Sequence, residues 1–149
     1  MTDEHYVDPG RELFTAFKDL PRDTPINMIN MLRFREHAAY PDDHPRVAEG
    51  LSGAEAYAHY GKESAPIFQR VGGSIIWRGA FETMLIGPNE ERWDAVFIAR
   101  YPAAAAFLEM VTDPDYRNAV VNRQAAVATS RLIRCGEMPD GLSADGAFA

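Results

Sequence analysis

The chain has a single cysteine, no run of basic residues, no long apolar stretch and none of the short motifs that announce a common chemistry. One thiol, Cys135, cannot close an intramolecular disulfide and has no second thiol with which to build a zinc site. Fifteen Lys and Arg stand against 22 Asp and Glu, a formal charge of -7. Such a surface repels phosphate backbones and anionic lipid, so neither nucleic acid nor a membrane surface is expected as a partner. No apolar run approaches the roughly 20 residues that span a bilayer. The opening MTDEHYVDPGR carries acids where a secretory signal carries bases. A soluble, unprocessed, cytoplasmic protein is expected. G-x-S-x-G, the P-loop and the dinucleotide fingerprint are all missing, which removes three frequent enzyme classes.

What is present suits one domain: 149 residues, 46% of them apolar. Residues 1–7 read as a loose lead and residues 8–135 as the folded part. Asp8-Pro9 signals a helix start, with Asp8 as N-cap and a short helix to about residue 19 carrying Leu13, Phe14, Phe17 and Leu20 on one stripe. INMINMLRF, residues 26–34, alternates as a strand, with Met28, Asn30, Leu32 and Phe34 on one face and Asn27, Ile29, Met31 and Arg33 on the other. Both faces are largely apolar, the pattern of a central strand covered on both sides. Residues 35–50 read as an exposed loop. Ser52 to Glu55 forms a capping box opening a helix through Arg70, whose inward stripe is Tyr57, Tyr60, Ser64, Phe68 and Val71. Pro66 predicts a kink or break over residues 62–66. Gly72-Gly73 stops the helix.

A strand over residues 74–86 is expected next, with a bulge or bend at Gly79. A turn at residues 87–91 would let it pair with a strand over residues 93–101. Residues 103–111 and, after Asp113-Pro114, residues 114–128 read as helix in two pieces. A short strand over residues 130–135 and a loose or partner-draping tail from residue 136 complete the chain. The order is strand, helix, strand, strand, helix, strand after an additional N-terminal helix. That is the α+β, ferredoxin-like β-α-β-β-α-β arrangement, a four-stranded antiparallel sheet with helices on one face. An apolar second face predicts a homodimer.

The combination of INMINMLRFRE, SGAEAYAHYG, VGGSIIWRG, WDAVFIARYP, DPDYRNAV, RQAA and SRLI resembles the dimeric α/β-barrel superfamily, and more narrowly a domain-of-unknown-function branch of it. The resemblance spans nearly all of residues 8–135. It implies a ferredoxin-like monomer whose sheet meets a second sheet face to face, forming a barrel across the dimer. In that superfamily the space between sheet and helices holds small ligands or haem, and its members include cofactor-independent monooxygenases, lactone isomerases and haem-handling enzymes. The resemblance also implies a functional asparagine on the first strand.

Read from the residues, Asn30 with Asn27 is the foremost polar signal. A buried amide needs partners, supplied either by a ligand or by nearby backbone. Tyr116 and Arg123 share a face of the last long helix. The arginine either reaches an anion or lays its stem along the core with its head in water. Tyr57, Tyr60, Trp77, Trp93 and Tyr101 are candidates to line a flat aromatic cavity, or else are plain core. Arg78 is a pocket cation or an interface ion pair, and Asp94 stands where the third strand begins. His59 reads as solvated, and His37 and His44 lie in a loop without metal-binding geometry, so no metal is assigned. No residue gives a proximal haem-ligand signal, so no cofactor is assigned.

The candidate ligand residues are therefore Asn30, Tyr60, Arg78, Asp94, Tyr101, Tyr116 and Arg123. The expected function is a homodimer holding a small organic molecule between sheet and helices. One version is a cofactor-independent, monooxygenase-like or lactone-isomerase-like enzyme acting on an oxygenated compound. The alternative is a non-enzymatic ligand-binding or interaction domain in which these residues satisfy only core and interface.

Overall fold

The computed structural model describes residues 5–138. The elements are α1 (Arg11–Asp19), β1 (Ile26–Phe34), a 3-10 turn (Pro45–Glu49), α2 (Gly53–Arg70), β2 (Ser74–Ala80), β3 (Ala95–Tyr101), α3 (Ala104–Thr112), α4 (Pro114–Ala126) and β4 (Val127–Cys135). The strands form one antiparallel sheet in the order β2-β3-β1-β4. This is the ferredoxin-like arrangement, with α1 as the additional helix and α3 and α4 as the divided one.

Alternation in β1 decides how the sheet faces the helices. Ile26, Met28, Asn30 and Leu32 are buried beneath them, while Asn27, Ile29, Met31 and Arg33 are half-buried on the opposite face. Ile26 and Leu32 are fully buried, each worth about 1.5–3 kcal/mol relative to exposure. On the uncovered face, Ile29 pairs with Ile98 of β3 and Ile133 of β4, and Ile98 pairs with Trp77 of β2. Trp77 is 52% and Ile133 43% exposed there. The second cover that the sequence pattern called for is therefore not supplied by this chain's own described residues.

The helix starts rest on different chemistry. Ser52 and Glu55 form the expected capping box, Glu55 N–H donating to Ser52 Oγ at 3.1 Å and Ser52 N–H to Glu55 Oε1 at 2.9 Å. Asp113 caps α4 through the amide of Asp115 at 2.7 Å. The first amides of α3, at Ala104 and Ala105, donate instead to the carbonyls of Thr24 and Arg22. Asp8 does not cap α1. That helix begins after Gly10 without a side-chain cap, and Asp8 accepts from Gln124 Nε2 at 3.2 Å.

Several boundaries differ from the sequence expectation. α2 is unbroken through Pro66, which lies on the exposed side, where water can take the carbonyl its missing N–H leaves free. β2 ends at Ala80 rather than at residue 86, and Leu85 and Ile86 are exposed, so residues 81–94 form a long connection and not a hairpin turn. The irregularity in β2 falls between Ile75 and Trp77, not at Gly79. Gly79 instead leaves room for the Trp77 ring, which a Cβ would meet at 2.5 Å. β4 starts at Val127, earlier than expected. Residues 5–7 are not a loose lead: the His5 ring bonds the carbonyl of Ala128, Tyr6 N–H donates to Thr129 Oγ1, and Ser130 Oγ donates to the Tyr6 carbonyl. This segment screens an edge strand from other chains. The tail expected from residue 136 falls, past residue 138, outside the described residues.

Gly53 sits where the end of β1, the start of α2 and the end of α4 converge. Its N–H donates to the Arg35 carbonyl at 3.0 Å, and Arg35 N–H donates to that of Ala126 at 2.8 Å. A Cβ at Gly53 would lie 2.2 Å from the Arg35 oxygen and 2.7 Å from that of Ala126, both backbone atoms that cannot swing aside. Gly53→Ala should cost at least about 3 kcal/mol in denaturant unfolding. Gly61→Ala, with nothing within 4 Å, should gain up to about 1 kcal/mol from helix propensity. Equal midpoints for the two variants would show that the junction yields.

Candidate functional site

The core beneath the helices is divided. One cluster gathers Ile26, Met28, Tyr101, Phe107 and Met110, the other Leu32, Tyr40, Ala56, Ala125 and Val127, and Phe97 touches both. Asn30 lies on β1 between Met28 of the first and Leu32 of the second. At this level a cavity of about 1510 Å³ opens between sheet, α1, α2 and α4. Its floor contains one row read straight across the sheet: Arg78 on β2, Phe97 on β3, Asn30 on β1 and Leu132 on β4. All four line the cavity.

The helices supply phenols. Tyr60 of α2 and Tyr116 of α4 place their hydroxyls 2.8 Å apart, with rings edge to face at 6.0 Å, and Tyr57 packs on Tyr60 at 5.2 Å. Tyr101, at the end of β3, points its hydroxyl at the Met110 sulfur, 3.9 Å away. Burial pushes the pKa of all four phenols up. At Tyr60 the hydrogen bond from Tyr116 and the charge of Arg123 partly oppose it, and at Tyr57 the charges of Arg123 and Arg78 do. These groups stay protonated, so they act as donors and not as bases.

Two of the candidate cations are in different situations. Arg123 is largely committed: Nη1 donates to the Val7 carbonyl and Nη2 to Ser130 Oγ at 3.3 Å, which ties the N-terminal segment to α4 and β4. Arg78 makes no hydrogen bond or ion pair among the described residues and is exposed. Asn30 donates from Nδ2 to the Met28 carbonyl at 3.1 Å. Its Oδ1 has no protein partner among the described residues.

Six of the seven candidates therefore line the same cavity: Asn30, Tyr60, Arg78, Tyr101, Tyr116 and Arg123. Asp94 does not. Its Oδ2 accepts from Phe34 N–H at 2.7 Å and its own N–H donates to the Leu32 carbonyl at 2.7 Å, so it closes the end of the β1–β3 ladder. Neither tryptophan joins the aromatic lining: Trp77 is on the uncovered face, and Trp93 is buried under the Arg131 guanidinium. Asn27 also faces away, accepting from Arg100 at 3.4 Å. His44 stacks on Tyr40 and accepts the Arg46 amide, and no group of three or more potential metal ligands occurs among the described residues. Among the described lining residues the one histidine is His5, whose Nδ1 bonds the Ala128 carbonyl, and tyrosinate ligation of a haem would need the deprotonation that burial opposes.

Sequence reading missed a second polar cluster. Asn122 is fully buried. It accepts from Tyr40 Oη at 2.5 Å and from Arg46 Nη1 at 3.2 Å, and donates to Glu63 Oε1 at 3.2 Å, while Arg46 and Glu63 pair at 2.8 Å. The cluster fastens the loop over residues 35–50 to α2 and α4, so that loop is not simply exposed. The available signal was an asparagine at helical spacing from Ala119, Ala125 and Ala126, a small-residue stripe that packs closely.

Burial raises the pKa of Tyr40 as well. Each of these five phenols has a folded pKa above the ordinary 10.0, so its stabilising effect is complete below pH 10 and is lost as pH rises beyond it. In an alkaline ultraviolet titration, ionisation of these five should coincide with loss of the helical circular dichroism. Ionisation of all tyrosines near pH 10 with the fold intact would contradict this.

The family described as Domain of unknown function (DUF1330) matches residues 50–135. The crystal structure of a protein of unknown function from Rhodopseudomonas palustris is 51% identical, covering 91% of this chain and 99% of its own, with a TM-score of 0.83. The methylated form of that protein gives 51% identity, 92% and 98% coverage and a TM-score of 0.84. At 13% identity, a dimeric protein of unknown function and ferredoxin-like fold from Bacteroides fragilis covers 76% of this chain and 96% of its own, with a TM-score of 0.45. No curated protein matches the chain. The β-α-β-β-α-β topology is the one that the dimeric α/β-barrel resemblance implied, and the chain belongs to the DUF1330 family.

Proposed function

We propose that this protein is a homodimer that binds a small oxygenated organic molecule between sheet and helices, as a cofactor-independent enzyme of the monooxygenase-like or lactone-isomerase-like kind. The observation that carries this reading is the convergence of an amide, neutral phenols and guanidinium groups from β1, β2, β3, α2 and α4 on one cavity. Side chains that serve only as core have no reason to bring hydrogen-bonding groups from five elements to one space. Arginine beside phenols suits a ligand that carries or develops negative charge on oxygen, such as a carboxylate, enolate or phenolate. Asn30 would orient a polar ligand atom, with Tyr60 and Tyr116 shaping and hydrogen-bonding the site.

The uncovered sheet face supports the dimer. Ile29, Val96, Ile98, Trp77 and Ile133 form an apolar surface on the side away from the helices, and a second copy would cover it through a two-fold contact. Sedimentation at micromolar concentration should give a dimer, and Ile98→Asp should give a folded monomer. A monomeric wild type would refute this part.

Thermal-shift screening against small carboxylates, phenols, lactones, flavin and haem should yield a stabilising carboxylate or phenol. A ligand at 100 times its Kd adds about 2.7 kcal/mol to native stability. Asn30→Ala should remain folded and lose most of that shift. Were no compound to stabilise the wild type, and Asn30→Ala only to lower its melting point, these polar groups would be structural. The engagement of Arg123 by Val7 and Ser130 is the feature that favours that second reading.

A further inference from the structure

The row Arg78–Phe97–Asn30 on the cavity floor limits the ligand more closely than the cavity volume does, and this step rests on the ligand-binding reading above. Residues paired across neighbouring antiparallel strands point to the same face, so the three side chains rise side by side towards the helices. Strands are spaced by about 4.8 Å, so the backbone positions that carry the cation and the amide are two strands, or about 10 Å, apart with an aromatic residue between them.

The hydrogen-bonding capacity left over along this row is uneven. The exposed Arg78 head is without an ion pair or hydrogen bond among the described residues, so its donors are available to an anion. The Tyr57 hydroxyl, within reach of the charge of Arg78 and likewise making no hydrogen bond among the described residues, adds a neutral donor. At the other end Asn30 has spent one N–H on the Met28 carbonyl. It keeps Oδ1 and its second N–H, an acceptor and a donor side by side, which match a hydroxyl better than a second carboxylate. Between the two lies Phe97, half-buried and available to a flat apolar body. The Tyr60–Tyr116 contact at 2.8 Å uses one of that pair's two hydroxyl protons and leaves a neutral donor, and Arg123 is occupied, so neither supplies a free cation to compete for the charged end.

We infer that the ligand is a flat hydroxyaryl monocarboxylate of about two fused rings, its carboxylate on Arg78, its ring plane over Phe97 and its hydroxyl on Asn30. The nearest probe is a hydroxynaphthoate, compared with its methyl ester, which removes the charge, and with naphthoate, which removes the hydroxyl.

By titration calorimetry the wild type should bind hydroxynaphthoate roughly tenfold more tightly than either comparison compound, the range set by one charge-assisted or one buried hydrogen bond. Arg78→Gln should erase the preference for acid over ester and keep the preference for the hydroxyl. Asn30→Ala should do the reverse. Because Arg78 has no partner to lose among the described residues, its variant should fold as the wild type does. If the ester binds as well as the acid, or the acid preference survives Arg78→Gln, this assignment is wrong while the ligand-binding reading stands. If none of the three compounds binds and the broader screen has found a ligand of another class, the assignment again fails alone. If nothing binds in either experiment, both fail.

Discussion

Three stretches of backbone meet at Gly53 at distances that admit no side chain, and the geometry of the cavity depends on that junction. β1 ends there, α2 begins there, and α4 passes into β4 there, joined by the Gly53 to Arg35 and Arg35 to Ala126 hydrogen bonds. Ala38 and Ala39 extend the same seam by donating to Leu51 and Ala125. Because these are main-chain bonds between rigid elements, they fix the phenols of α2 relative to Asn30 on β1 and to Tyr116 on α4. The Ser52–Glu55 capping box sets where α2 starts, and the missing Cβ one residue later lets it approach. Cap and glycine are thus two halves of one device.

The same junction accounts for a core in two parts. Leu32, Ala56, Ala125 and Val127 pack tightly around it, all fully or nearly fully buried, with small residues where the backbones are closest. The larger residues Phe107, Tyr101 and Met110 fill the space beneath α3 at the other end. Between the two, β1 presents Asn30 where a leucine or isoleucine would have joined the clusters. An apolar side chain of that size is worth about 1.5–3 kcal/mol when buried, so an amide in this position forgoes stability that the rest of the strand collects. The formal charge of -7 sharpens the contrast, since the cavity wall carries Arg78, Arg117, Arg123, Arg131 and Arg134 against the acid Asp8.

The order of elements was legible because each carries a local cause: period-two alternation in β1, the capping box of α2, the Gly72 stop at φ 88° and the Asp113-Pro114 restart. The errors fall where tertiary contacts override local signals. Asp8-Pro9 looks like a cap, but Gln124 claims the carboxylate. Residues 81–86 look like strand, yet β2 lies at the sheet's edge and its pairing with β3 stops at Ala80 among the described residues. For the site, strand parity separated Asn30 from Asn27 by face without saying which face the helices cover. It could not separate Arg123 from Arg78, because a guanidinium held by the Val7 carbonyl 116 residues away leaves no trace in local sequence. Asp94 was misread for a related reason: an acid at a strand start can serve the ladder's last amide as readily as a pocket, and only the 2.7 Å contact to Phe34 decides between them.

Hydrogen-bond accounting then separates structural polar groups from available ones. Asn122, the most deeply buried asparagine, is saturated by Tyr40, Arg46, Glu63 and the Ala119 carbonyl, which gives it a full structural explanation. Arg134 is likewise taken up by the carbonyls of Phe17 and Pro21, and Tyr60 and Tyr116 share one hydrogen bond. Buried polar groups are expensive unless partnered, so the fold satisfies nearly all of them internally. Along the cavity floor the Asn30 carbonyl oxygen is without a partner among the described residues, and the Arg78 head, on the strand beyond Phe97, is exposed. A protein selected only for stability gains nothing by leaving an amide acceptor open to a cavity when a leucine would fit the same strand position. The open amide acceptor of Asn30 therefore argues for a polar occupant more strongly than the size of the space around it does.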